Sequence, residues 1–209
     1  RKTGNALTDG TNAQGGSYAF ESSTWVLKAG QYPDGTVKIY SINPGTTTVT
    51  PGSSFARPDP AWDNDGPLRV TVDEEDNVYV TDWYQFGYPA VSAPAGKQQG
   101  TAVWRYDANG QSPVRVLTSW ENKISIITLG IRVRGTGANK TAYLVAREAT
   151  NPIIRVYTTW DEAQKKWTNT DATTKINLTG GKSPADICFD PSGNMYVVFG
   201  DPFASQAVT

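Results

Sequence analysis

The chain has 209 residues, with 19 basic and 20 acidic side chains, no histidine and a single cysteine. This length suits one sizeable domain or two small ones, and the near-cancelling charge excludes a broad field aimed at nucleic acid or an anionic membrane. A lone cysteine excludes an internal disulfide, and the missing histidine excludes Ser-His-Asp and Cys-His catalysis and imidazole metal ligation within these residues.

In chain order, the pattern is one of short β-rich runs bounded by Gly, Pro, Asn and Asp. The chain opens at Arg1 without Met or a signal-like apolar run, which reads as a processed, excised or partial polypeptide. No apolar stretch approaches a membrane-spanning length. The first predicted elements lie in GSYAFESSTWVLKAG (16–30), GTVKIYSI (35–42) and TTVTPG (47–52). A second set follows in PLRVTVDEEDNVYVTDW (67–83), GTAVWRYDA (100–108) and SPVRVLTSW (112–120). A third lies in GIRVRGTGANKTAYLVARE (130–148), NPIIRVYTT (151–159) and TKINLTG (174–180). Between the last two, WDEAQKKW (160–167) carries the only run of helix formers, and reads as a helical turn or a loop between strands. The final run is PADICFDPSGNMYVVFG (184–200).

These sets repeat. Residues 67–83 lie over 184–200 without a gap, matching Pro67 with Pro184, Asp73 with Asp190, Asn77 with Asn194 and Tyr79 with Tyr196. Apolar positions match too: Val70 with Ile187, Val72 with Phe189, Val78 with Met195. Four strands per unit of about 50 to 60 residues is the sequence sign of β-propeller blades. The expected fold is therefore all-β, a propeller of four-stranded antiparallel blades. Blade-like repeats fall near 16–60, 61–125, 126–180 and 181–209, with an insertion at 84–100.

The acidic knot DEEDN (73–77) falls where the matched copy reads DPSGN, which is turn chemistry: Pro sets φ, Gly and Asn accept positive φ, and Asp bonds nearby amides. A hairpin corner is the expectation. The alternative is calcium at Asp73, Glu74 and Asp76, for which a cation wants six to eight converging oxygens. GTGANK (135–140) looks like a phosphate-binding loop only in isolation; it sits between strands rather than before a helix, and reads as a turn.

The pattern P-x-x-φ-x-φ-D-x-x-G-N-φ-Y-V in 184–197, with Asp76 replacing Gly in 67–80, followed by a strand such as VWRYD, resembles the NHL and SMP-30/gluconolactonase-like group of β-propellers. The resemblance implies six or seven blades, of which about three and a half are present, so an incomplete arc is expected. Such an arc is completed by other protein subunits or by the remainder of a longer chain, because blades bury their faces against neighbours. The lactonases of that group hold a divalent cation, such as calcium, with Glu, Asn and Asp from separate blades. Here Glu21, Asp82, Glu148 and Asp201 stand near inner-strand ends, and Asp82 and Glu148 are the foremost candidates.

The remaining candidates are aromatic or single. Trp62, Trp83, Tyr84, Phe86 and Tyr88 gather in or beside loops at the expected channel rim, where ring faces suit a glycan or a protein partner. Trp104, Tyr106, Tyr157, Tyr79, Tyr143 and Tyr196 read as blade packing, and Cys188, between Ile187 and Phe189, as a buried structural thiol. Asn139 and Asn177 head N-glycosylation sequons. With the Thr-, Gly- and Asn-rich, sulfur-poor composition, they point to an exported or cell-surface protein. The reading is a binding or scaffold propeller without catalysis or cofactor, free of nucleic acid and membrane span. The alternative is a metal-dependent lactonase or hydrolase.

Overall fold

The computed structural model describes residues 18–20, 26–31, 36–43, 48–55, 64–85, 99–124, 128, 130–148, 151–179 and 184–200, with backbone alone up to 68 and at 83–85, 99 and 147–148. The first sheet holds β1 (Tyr18–Phe20), β2 (Val26–Gln31), β3 (Thr36–Asn43) and β4 (Thr48–Phe55). The second holds β5 (Asn64–Val72), β6 (Val78–Gln85), β7 (Gln99–Tyr106) and β8 (Val114–Thr118). In the third, β9 (Gly130–Arg134), β10 (Thr141–Glu148) and β11 (Asn151–Tyr157) precede a small hairpin, β12 (Trp160–Asp161) and β13 (Lys166–Trp167), and β14 (Thr174–Asn177) closes the sheet. The fourth holds β15 (Pro184–Phe189) and β16 (Met195–Phe199).

The first three sheets are antiparallel and four-stranded, and each is laid down in chain order from one edge to the other. Their first strands are neighbours in space: β1 beside β5, β5 beside β9, β9 beside β15. Successive sheets thus stack face to face with their first strands together, which is the β-propeller arrangement. Among the described residues no helix is long and apolar enough to cross a membrane.

Strand alternation gives every sheet two faces. Register places Tyr79 opposite Thr71, Tyr143 opposite Arg132 and Tyr196 opposite Cys188. The face carrying these tyrosines points the same way in each sheet. In the second sheet it brings Tyr79 and Val103 against Ile131, Val133, Ala142 and Leu144 on the back of the third. In the third it brings Tyr143 and Val145 against Ile187, Phe189, Met195 and Val197 on the back of the fourth. Each fully buried Leu, Ile or Val contributes about 1.5–3 kcal/mol, so the seams between sheets carry most of the apolar burial.

Three expectations change or sharpen. WDEAQKKW is the loop alternative, a hairpin in which Trp160 faces Trp167 with ring centroids 4.6 Å apart. Both indoles enter the core, and that burial outweighs the helix propensity of the residues between them. Cys188 is exposed, not buried, because alternation turns it away from Ile187 and Phe189 onto the tyrosine face. Tyr196 on the same face is 54% exposed and packs no seam, whereas Tyr79 is 0% exposed.

Candidate functional site

The acidic knot is a hairpin corner that grips the next sheet. Asp73 Oδ1 accepts hydrogen bonds from the Glu75 and Asn77 backbone N–H groups, each at 2.9 Å. Its Oδ2 accepts from Asn77 Nδ2 at 3.0 Å and from the Tyr79 hydroxyl at 3.0 Å. Arg105 Nη2, from β7, donates to Asn77 Oδ1 at 2.5 Å and fixes the amide's orientation. The fourth turn residue, Asp76, takes the left-handed backbone (φ 61°) that glycine fills at Gly193 (φ 86°); Asp tolerates this better than most residues.

A cation occupies this corner, and it comes from the protein. Lys140 Nζ lies 2.6 Å from Asp73 Oδ2 and 2.5 Å from Glu75 Oε2. Lys140 sits at the end of the GTGANK segment, which forms a single 3-10 turn at Gly137–Asn139 between β9 and β10. From the same turn the Gly137 N–H donates to Glu75 Oε1 at 2.9 Å, and Arg134 Nε stands 3.9 Å from Glu74 Oε1. DEEDN and GTGANK therefore clasp one another across the seam. The clasp is dry at its centre: the Lys140 and Asp73 side chains are 1% and 0% exposed. The Lys140 ammonium, followed by the Gly137 N–H, holds the Glu75 carboxyl below its usual range. Burial, then the Asp73 charge, pushes the Tyr79 hydroxyl above its usual range, so it stays a donor.

A second, outer clasp joins the same two sheets. Asn122 accepts from the Thr118 N–H at 2.9 Å and donates to the Asn169 carbonyl at 2.8 Å. The Tyr157 hydroxyl, pushed up to about 12 chiefly by burial, donates to the Asn122 carbonyl at 2.5 Å and accepts from Arg155 Nε at 3.2 Å. Arg155, itself buried, also pairs with Asp171. Desolvation pushes the Asp171 carboxyl upward, but the Ala172 N–H and Arg155 outweigh it and leave a net lowering.

The fourth sheet repeats the corner. Asp190 Oδ1 accepts from the Asn194 N–H at 2.8 Å, and Oδ2 accepts from Asn194 Nδ2 at 2.8 Å and the Tyr196 hydroxyl at 3.2 Å. The turn closes alike, with Asp190 N donating to the Asn194 carbonyl and Gly193 N to the Asp190 carbonyl, both at 3.0 Å. These bonds, the Asn194 amide first, hold the Asp190 carboxyl below its usual range. Pro191 and Ser192 replace Glu74 and Glu75, so this corner keeps one carboxylate. Around it lie Cys188, Tyr196 (54% exposed) and Val198 (40% exposed).

The sequence-predicted site residues are scattered relative to these corners. Asp82 is buried near the end of β6, on the face of Val78 and Val80 and opposite Ala102, and after burial itself it is what raises the Tyr106 hydroxyl. Glu148 ends β10 opposite Asn151, with its backbone alone described. Trp83 and Tyr84 belong to β6, opposite Thr101 and Gly100. Trp62, Phe86, Tyr88, Glu21 and Asp201 lie outside the described residues. Asn139 and Asn177 are both exposed. Among the described residues no group of three or more Cys, Asp or Glu side chains converges as metal ligands would. GTGANK reads as a turn from the sequence alone, and nothing in that pattern marks Lys140 as the clasp's cation.

No family model and no curated protein matches the chain. Several solved structures are similar in shape, two of them as follows. One is the Dos1 propeller, at TM-score 0.48 and 10% identity, covering 88% of this chain and 42% of that one. The other is luciferin-regenerating enzyme, at TM-score 0.45 and 11% identity, covering 88% of this chain and 68% of that one. The chain thus spans less than half the length of the first.

Proposed function

We propose that the protein is a non-catalytic binding propeller of the extracellular space or cell surface, which docks other polypeptides on the tyrosine face of its fourth sheet. One observation carries the reading: Tyr196 and Val198 are 54% and 40% exposed, while their counterparts Tyr79 and Thr81 in the second sheet are 0% exposed. An aromatic and a β-branched side chain side by side on an open sheet face favour association, since burying each contributes about 1.5–3 kcal/mol. The sequon asparagines Asn139 and Asn177 are both exposed, as an N-glycan acceptor must be, and this supports an exported protein. Trp83 and Tyr84 in β6 are aromatic residue types that suit glycan or protein contact, and we include them in the reading on that ground.

The test is association of the native protein by sedimentation velocity, with Tyr196→Glu and Val198→Glu introduced together. Loss of the associated species by about tenfold or more, at an unchanged unfolding midpoint, is expected. Association that survives both substitutions would remove the reading.

A further inference from the structure

The two acidic corners are chemically the same object in two states. Each has an Asp bonded by the backbone N–H and side-chain amide of the Asn four positions on, and by the hydroxyl of the Tyr six positions on. In the second sheet the following sheet covers the tyrosine and delivers Lys140 Nζ to Asp73 Oδ2 at 2.6 Å. In the fourth the tyrosine stands 54% exposed and its aspartate is half-buried.

We propose that the Asp190–Asn194–Tyr196 corner is the receptor for a lysine carried by a further blade-like sheet from outside these 209 residues, whose apolar back covers Cys188, Tyr196 and Val198. The inference rests on the binding reading above and adds the partner's chemistry. Charge complementarity sets the class of partner. One carboxylate remains here, where the second sheet offers Asp73 and Glu75 to one ammonium, so a single lysine matches. Asp190 already accepts from Asn194 and Tyr196, and its Oδ2 is the atom that, in Asp73, also takes the lysine.

A second copy of this chain does not supply that lysine. The clasp needs it three positions before the tyrosine, where the second, third and fourth sheets carry Asp76, Lys140 and Gly193, and the run between β1 and β2, residues 21–25, contains no lysine. Lys140 is the one lysine of the three, and it is spent inside its own chain, 1% exposed against Asp73. The occupant must therefore bring its own.

Zero-length carbodiimide coupling of the native protein, read by peptide mass spectrometry, tests this directly, because it joins only carboxylates and amines already in contact. The Glu75–Lys140 amide is the internal standard, because Glu75 is 39% exposed to the reagent and lies 2.5 Å from Lys140 Nζ. The expected result is a second amide, Asp190 joined to a lysine absent from these residues, together with Cys188 reacting with maleimide about tenfold or more slowly than in Asp190→Asn protein. The standard amide without any Asp190 amide overturns the lysine. If Cys188 is still shielded in that case, the face binds a partner of other chemistry, and the broader reading stands. If Cys188 reacts freely, both fall. An Asp190 amide to a lysine of these same 209 residues overturns the choice of partner in favour of self-association.

Discussion

The second and fourth sheets show what a hairpin decides for itself and what its neighbour decides for it. Asp73 and Asp190 hold the same turn by the same bonds, although one side chain is 0% exposed and the other sits at the open surface. The turn is thus set locally, by Asp, Asn, Tyr and a left-handed fourth residue. Burial is conferred by the next sheet, and with it the need for a countercharge. A carboxylate in water needs no partner, whereas a carboxylate at 0% exposure is tolerated only when paired.

The largest effect expected from breaking this contrast is at Lys140. Lys140→Met leaves Asp73 charged, dry and without its ammonium, and should cost about 3–5 kcal/mol in denaturant unfolding. Adding Asp73→Asn should recover part of that loss, while Asp190→Asn in the 209-residue chain without its occupant should leave the midpoint near its original value. Equal losses from the two aspartate substitutions would show that burial does not separate the corners.

A smaller effect tests the seam between the third and fourth sheets. A Cβ on Gly130 would lie 2.9 Å from Asp186 Cα and 3.0 Å from Val145 Cγ2. The first of these is backbone and yields little. Gly130→Ala should cost about 1–3 kcal/mol and speed amide exchange in β15 more than in β5. Uniform loss of protection would mean that the seams are not independent.

The smallest effect is in acid. Glu75 is lowered from an ordinary 4.5 by Lys140 and Gly137. A carboxyl depressed on folding stabilises above its unfolded value and loses that contribution as pH falls through the folded value. The thermal midpoint should therefore decline below about pH 4.5, and Glu75→Gln should flatten part of that decline. An unchanged slope would assign it to other carboxyls. Asp190 titrates in the same direction but in solvent, where the bonds that depress it are screened.

Much of the architecture was legible because it is local. The gapless match of 67–83 to 184–200 points to two matching hairpin corners, and the structure has them, closed by the same bonds. What was hidden is what depends on distant partners. Nothing in DEEDN announces a lysine 67 positions away. Cys188 looked buried because its chain neighbours are apolar, yet the two-residue period that puts Ile187 and Phe189 inside must put Cys188 outside. That signal was present and misread. The rim aromatics are different: Trp83 and Tyr84 are expected in or beside loops, and the strand runs on past them through Gln85.

The clasp also has a direction. Lys140 and Gly137 reach back to carboxylates that precede them in the chain. During synthesis the second hairpin leaves the ribosome before the residue that completes it, so Asp73 and Tyr79 first face water much as Tyr196 does within these 209 residues. The fourth sheet is in that sense a standing picture of the second at an earlier moment of its biogenesis.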